Sequence, residues 1–341
     1  MKILLSLFIL LISLVIKLPA HAQPMADSVK AFLDKSLTII QTNAINKDSV
    51  NWESLKTQVY QKAAGAQTYE AVLPIYPFIF EQIGDHHGAL KYKSKSYYWP
   101  MPSAYSNQVV KQAVKRYDSV KVQNLGNHIG YILLPGNNDF GAKRINEDAI
   151  VIRKAIAAVD NKNIKGWIID LRVNTGGNMY QMLAGLGLLL GDGTLGGFVN
   201  QRNESQGEWI IQNGDIYIDS NRVSNVSPNI SFKRKNLIPL AVLISGQTAS
   251  SGEVVAISTI GRKNTVLIGE TSAGYTTSNQ GFEINKYAGL NLAVDFDKDR
   301  TGKVYRTYIK PNIVINGGDD FENLDKDVKV KRAVEWILKG K

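Results

Sequence analysis

Two serines stand side by side in Thr248-Ala249-Ser250-Ser251-Gly252-Glu253. A serine at the start of a helix can serve as a nucleophile if a nearby base takes its proton. The same letters also have a plain structural meaning. Ser250-x-x-Glu253 spells a capping box, in which the serine satisfies an orphan N–H and the glutamate reaches back. Those six residues alone leave both readings open.

A second stretch shifts the balance toward chemistry. Asp170-Leu171-Arg172-Val173-Asn174-Thr175-Gly176-Gly177 ends a buried strand in paired glycines just before a helix, and the serine stretch likewise joins a strand to a helix. Paired glycines let the main chain approach a ligand closely, and free N–H groups at helix starts favour negative charge. An oxyanion hole has those two requirements.

The base must then be found. The chain has no cysteine, so thiolate and disulfide chemistry are absent. A lysine, with a pKa near 10.4, must be desolvated by several units before it accepts a proton at neutral pH, whereas an imidazole at about 6.5 needs no such help. Outside the leader described below, the histidines are His86, His87 and His128. Lys263 lies in a Gly-Arg-Lys turn and reads as solvated, and His128 begins a strand and reads as packed. Asp295, Asp297 and Asp299 alternate as if to bind calcium, but the glycine and distal glutamate of a calcium loop are missing, so a hairpin turn is expected and no metal. No organic cofactor is expected either.

Around these residues the chain divides. Residues 1–22 read as a secretory signal peptide: Lys2, an apolar stretch from Leu4 to Ile16, and a small-x-small cleavage signal at Ala20-His21-Ala22. Export to a periplasm or cell envelope, or secretion, follows as an expectation. Residues 23–90 read as a helical domain, with Asn51 capping one helix and Gly84 closing another. Residues 91–127 form a connector. From 128 to 341 predicted strands at 128–134, 166–173, 239–245 and 264–269 alternate with helices at 147–159, 179–190 and 249–260, the pattern of parallel βαβ units in an α/β fold. In such sheets the carboxyl ends of the strands form the working edge. Residues 195–237 are polar and strand-poor apart from GEWIIQ (207–212) and DIYID (215–219), and read as a lid-like insertion.

Without Lys2 and Lys17 there are 38 basic against 30 acidic residues, spread rather than clustered. That surplus suits solvated surface, with weak peripheral association with an anionic cell envelope as the second reading. No zinc-finger spacing, phosphate-cradling loop or RNA-binding aromatic motif is present, which excludes nucleic acid as the expected partner.

Taken in order, GWIIDLRVNTGG (166–177), PLAVLISGQTASSGEVVA (239–256) and NTVLIGETSAGYTT (264–277) resemble the three core motifs of the S41 peptidases, the family of C-terminal processing (tail-specific) proteases. The resemblance covers most of residues 45–341. It implies a core like that of the crotonase and Clp peptidase group, with Ser250 as nucleophile, three residues before the glutamate. It also implies an oxyanion hole from the N–H of Ser251 and of Gly176 or Gly177.

Tail-specific members use a lysine about 25 residues beyond the serine; here the matching turn, Ala273-Gly274-Tyr275-Thr276, offers tyrosine, which excludes that dyad. Gly84-Asp85-His86-His87-Gly88 instead resembles the D-x-H-S turn of the branch that includes the nisin resistance protein and the tricorn-type proteases. On that match His87 is the base, and Gly88 replaces the motif's serine. About 40 residues separate His87 from the strand at 128–134, too few for the PDZ module of tail-specific members. Asn178, Met179, Glu270 and Thr271 occupy positions that line the cleft in relatives.

The expectation is therefore an exported serine endopeptidase acting on peptides or polypeptide tails by acyl-enzyme catalysis. A non-catalytic ligand-binding or peptide-binding protein on the same fold and an esterase-type acyl hydrolase are the rivals.

Overall fold

The computed structural model describes residues 23–100, 107–139, 141–226 and 238–339. The expected leader lies outside them. Among the described residues no helix is long and apolar enough to cross a membrane.

The amino-terminal part is helical: α1 (Asp27–Asn43), α2 (Trp52–Lys62), the short α3 (Tyr69–Val72) and α4 (Tyr76–Gln82). Asn51 caps α2 by accepting the N–H of Ser54 at 3.0 Å, and Gly84, with φ +66°, closes α4. Val29, Leu33, Ile40, Val59, Ile79 and Phe80 form its interior. Each such side chain contributes about 2 kcal/mol when fully removed from water. This core is not self-contained, because Leu90, Ile284, Leu290 and Leu292 from strands complete it. The strands are β1 (Ala89–Tyr92), which follows α4 and its short partner β2 (Lys95–Tyr97) closes, and the later hairpin described below.

Then come α5 (Gln108–Arg116), β3 (Lys121–Leu125), β4 (Ile129–Leu133), α6 (Ala142–Val159), β5 (Gly166–Asp170) and α7 (Met179–Leu190). Four strands succeed them, β6 (Gly193–Val199), β7 (Ser205–Gln212), β8 (Asp215–Ile218) and β9 (Asn221–Arg222). The chain continues through β10 (Leu240–Ile244), α8 (Ser251–Thr259), β11 (Thr265–Gly269), the hairpin β12 (Thr277–Asn285) and β13 (Ala288–Asp299), β14 (Val304–Tyr305), β15 (Ile313–Val314) and α9 (Val328–Lys339).

One sheet has the order β15-β11-β10-β5-β4-β3, parallel except for β3 at its edge. Its central strands are buried along their whole length, which is why they read as unbroken apolar runs. Successive residues of β5 serve opposite faces: Trp167 and Ile169 face the core that α7, α8 and the second sheet close, and Ile168 faces α5 and α9. Helix α7 is apolar all round because it is buried all round.

The second sheet runs β2-β1-β13-β6-β7-β8-β9, with β12 and β14 also paired to β13. Here the structure goes beyond the two strand-like pieces expected within a lid-like insertion over 195–237, which become β7 and β8. Residues 193–222 form four antiparallel strands, and Leu195, Trp209, Ile211 and Ile216 join the main core. Residues 227–237 lie outside the described residues.

Candidate active site

The two turns singled out in the sequence leave neighbouring parallel strands, β5 and β10, at their carboxyl ends, and they are stitched together. Thr248 Oγ1 donates to Leu171 O at 2.8 Å, Ser245 Oγ to Arg172 O at 2.7 Å, and Ala249 N–H to Asn174 O at 3.0 Å. Ser250 follows as the residue before α8, with φ +52° and ψ −119°. A side chain in that region costs about 1 to 3 kcal/mol and persists only where the surroundings enforce it. Ser250 is partly exposed at the head of the helix.

Gly176 and Gly177 have φ of +112° and +123°. A Cβ on Gly176 would lie 2.9 Å from Ser250 Cβ, and one on Gly177 would lie 1.8 Å from Asn137 O. Both positions therefore require glycine, on contact as well as on conformation. The N–H of Gly176 is spent on Asn174 Oδ1 at 3.0 Å. The N–H groups of Gly177 and Ser251 have no partner among the described residues, and Ser251 Oγ donates to Gly177 O at 2.6 Å, holding the two segments together. Two open amides thus flank Ser250.

The capping box is present: the Glu253 carboxylate accepts Ser250 N–H at 2.9 Å, and the Ser250 side chain faces the backbone N–H of Glu253. Glu253 is fully buried and also accepts Gly274 N–H at 2.9 Å, Tyr275 N–H at 2.7 Å and the Ser272 hydroxyl. Burial raises its pKa and the four hydrogen bonds offset part of that rise, leaving it at about 7. Four converging donors fit the ionised form, which has acceptors only.

The histidines sit on the segment after α4. Asp85, buried, accepts the N–H groups of His87 at 3.0 Å, Gly88 at 2.6 Å and Ala293 at 3.0 Å, which fastens this turn to β13. His87 Nδ1 lies 2.7 Å from Thr277 Oγ1, and its ring meets that of Tyr275 edge-on, with centroids 5.0 Å apart. Burial lowers the imidazole pKa to about 3, and the neighbouring His86 pushes the same way. The residue is partly exposed, and the ring is neutral at physiological pH. His86 donates from Nε2 to Gly274 O at 3.0 Å. No hydrogen bond joins His87 to Ser250 among the described residues, and His87 Nε2 has no partner.

Thr277 is the residue that the sequence did not single out. It supplies the orienting contact that Gly88 lacks; a side chain at position 88 would in any case meet Asp85 Oδ2 at 2.4 Å. His128 is corrected: it does not pack in a strand but is exposed, with φ +62°. Lys263 is exposed in its turn, as expected.

The positions expected to line the cleft have mixed fates. Asn178 caps α7 by accepting Tyr180 N–H at 3.0 Å, and Met179 is buried in the main core. Glu270 is drawn into a buried ion network, 2.8 Å from Lys329 Nζ, and Thr271 stays partly exposed. The hairpin expected at the aspartates is present: Asp299 accepts the N–H of Thr301 at 2.8 Å and the Tyr305 hydroxyl at 2.8 Å. Among the described residues no acidic or histidine cluster could hold a metal.

The protein is of the α/β class, with the serine turn and the glycine turn side by side at the carboxyl edge of its parallel sheet and a neutral imidazole on an adjacent segment. Residues 128–315 match the model of peptidase family S41, more than half of the chain, and the chain belongs to that family. Peptides or proteins are therefore its class of substrate.

The chain is 28% identical over 294 residues to the nisin-resistance protein of Lactococcus lactis subsp. lactis, covering 85% of this chain and 81% of that protein. It is 28% identical over 207 residues to the carboxy-terminal processing protease CtpA of Bacillus subtilis, covering 59% of this chain and 39% of that protease. Among solved structures, a lipoprotein from Streptococcus agalactiae superposes with a TM-score of 0.66 at 21% identity, over 92% of this chain and 97% of that one. A photosystem II D1 C-terminal processing protease superposes at 0.54 and 14% identity, over 85% and 94%. These superpositions establish the shared fold.

Proposed function

We propose that this protein is an exported serine endopeptidase without a PDZ domain, in which Ser250 is the nucleophile and His87 the general base. The observation that carries the reading is the placing of Ser250, at positive φ, between the open N–H groups of Gly177 and Ser251. Ser250 Oγ attacks the scissile carbonyl carbon while His87 Nε2 takes its proton. The oxyanion is held by the amides of Gly177 and Ser251. The C–N bond then breaks as the imidazolium returns the proton to the leaving amine, and water hydrolyses the acyl-enzyme by the same path. For Nε2 to be the acceptor, the neutral ring must carry its proton on Nδ1, where Thr277 Oγ1 receives it.

The missing Ser250–His87 hydrogen bond is the one observation that favours a binding protein on this fold. Contacts of this kind are often loose in an empty cleft and close on substrate. A serine-directed fluorophosphonate separates the readings: it labels the wild-type protein and not Ser250→Ala. Equal labelling of both removes Ser250 from the mechanism, and no labelling of either supports the binding protein. Cleavage of peptides without cleavage of simple esters distinguishes the endopeptidase from an esterase.

A further inference from the structure

Beside His87 the surface is made of rings. Tyr275 meets His87 at 5.0 Å and His86 at 5.6 Å, and His86 meets Trp99 at 6.1 Å, each edge-on. All four are partly exposed, and Tyr98, the next residue along, is 53% exposed. Rings that only fill the interior of this chain are closed off, as Tyr76, Phe80, Trp167 and Trp209 are, all at 0%. The row by the site instead leads from solvent to the proposed base.

Two hydrogen bonds hold the centre of the row without any ligand: His86 Nε2 donates to Gly274 O at 3.0 Å, and the Tyr275 backbone N–H to Glu253 at 2.7 Å. A surface fixed in advance loses little freedom on binding. The carboxylates attached to these turns, Asp85 and Glu253, are 2% and 0% exposed and occupied by backbone donors, so neither faces outward to pair with a cation. The chain as a whole is basic, which disfavours a cationic peptide further. What remains is an apolar, polarisable surface suited to edge-to-face contact with another ring or to covering a large aliphatic group.

We propose that Tyr98, Trp99, His86 and Tyr275 form a subsite for a bulky uncharged side chain, aromatic or aliphatic, next to the scissile bond. The inference rests on the Ser250/His87 reading and gives it a substrate class: peptides with Phe-like or Leu-like residues at the cut.

The test is a series of internally quenched peptides that differ at single positions flanking one bond, carrying Phe, Leu, Ala, Lys or Glu. The wild-type protein is expected to favour Phe or Leu over Ala by about tenfold in kcat/KM at one position. Lys and Glu are expected to fall below Ala. Tyr98→Ala and Trp99→Ala should each bring the Phe:Ala ratio toward one, whereas Tyr287→Ser, at a ring 47% exposed elsewhere, should keep it. Binding is read separately, by fluorescence anisotropy of a labelled Phe peptide on the Ser250→Ala protein. Adding Trp99→Ala there should weaken the Kd about tenfold.

A wild type indifferent to Phe against Ala, a preference for Lys, or a ratio unchanged in both ring variants overturns the subsite. Tight, Trp99-dependent binding with no hydrolysis by the wild type keeps the subsite and overturns the catalytic reading. Absence of both binding and hydrolysis overturns both.

Discussion

Ser250 and Tyr275 share one acceptor: their backbone N–H groups donate to the same oxygen of Glu253, at 2.9 and 2.7 Å. Because the Tyr275 ring packs on His87, a single buried carboxylate links the proposed nucleophile to the segment that contacts the proposed base. In Glu253→Gln the amide must point its NH2 at donors, leaving at least one buried N–H unsatisfied. The expected result is a loss of about 2 to 4 kcal/mol in urea unfolding, together with a fall in kcat on peptides. Unchanged stability and rate would show that the linkage does not matter.

Thr277 orients the imidazole in the absence of a serine at position 88. Thr277→Val keeps the shape and deletes the acceptor for Nδ1–H. Misplacement of a catalytic group by even an ångström costs about a hundredfold, so kcat should fall tenfold to a hundredfold with KM little changed. Thr277→Ser should restore most of it. A purely structural role predicts instead a lowered Tm with kcat intact.

The depressed pKa of His87 has a sign that can be checked. The base works when neutral, so the acid limb of kcat/KM should lie well below the free-histidine value of about 6.5. Stability follows the same linkage. With the folded pKa below the unfolded one, the contribution of His87 is present above pH of about 6.5 and is lost as pH falls toward about 3. The difference in unfolding free energy between wild type and His87→Gln should therefore drift against the wild type from pH 7 to pH 4. An acid limb at 6.5 or above contradicts this.

The alternation of buried strands and helices was legible because parallel strands covered on both faces leave continuous apolar runs such as 166–169 and 240–244, each followed by a turn rich in glycine, serine or threonine. Asn51 and Gly84 were legible because capping and chain reversal are local. Thr277 was not, since its meeting with His87 spans 190 positions and depends on how the start of β12 meets the turn after α4. GEWIIQ and DIYID were legible as β7 and β8, but β6 was obscured by glycines that let neighbours approach closely: a Cβ on Gly196 would lie 2.3 Å from Lys298 O. Glu270 looked available because its partner, Lys329, is 59 positions downstream.

Asp297 offers a stability prediction independent of catalysis. It is fully buried, and neither carboxylate oxygen has a hydrogen-bond partner. Burial raises its pKa well above the ordinary carboxylate range, and the charges of Glu253 and Asp295 add to that. A raised folded pKa makes the contribution complete below the unfolded value of 3.8 and progressively lost as pH climbs toward the folded one. Asp297→Asn removes the titration. The variant should match the wild type near pH 4 and exceed it by about 1 to 3 kcal/mol at pH 8 in denaturant unfolding. A wild-type advantage that grows with pH would mean that the carboxylate is paired and ionised.

Lys329 and Glu270 decide whether the latter belongs to the substrate or to the fold. Lys329 is fully buried, with Nζ 2.8 Å from Glu270 and 2.7 Å from Asp319, and Arg172 reaches Asp319 and Asp327 at 2.6 Å each. Removing one member of such a network leaves an uncompensated charge out of water, which costs about 3 to 5 kcal/mol. Lys329→Met should therefore destabilise the protein by that amount. Glu270→Gln, which still offers Lys329 an oxygen, should cost less. If Glu270 is structural, both variants lower the denaturation midpoint while preference among peptides measured below that midpoint is unchanged. If Glu270 reads the substrate, Glu270→Gln changes peptide preference at nearly full stability. The charge-paired geometry favours the first outcome, because a carboxylate 1% exposed and already holding an ammonium has little left to offer a peptide.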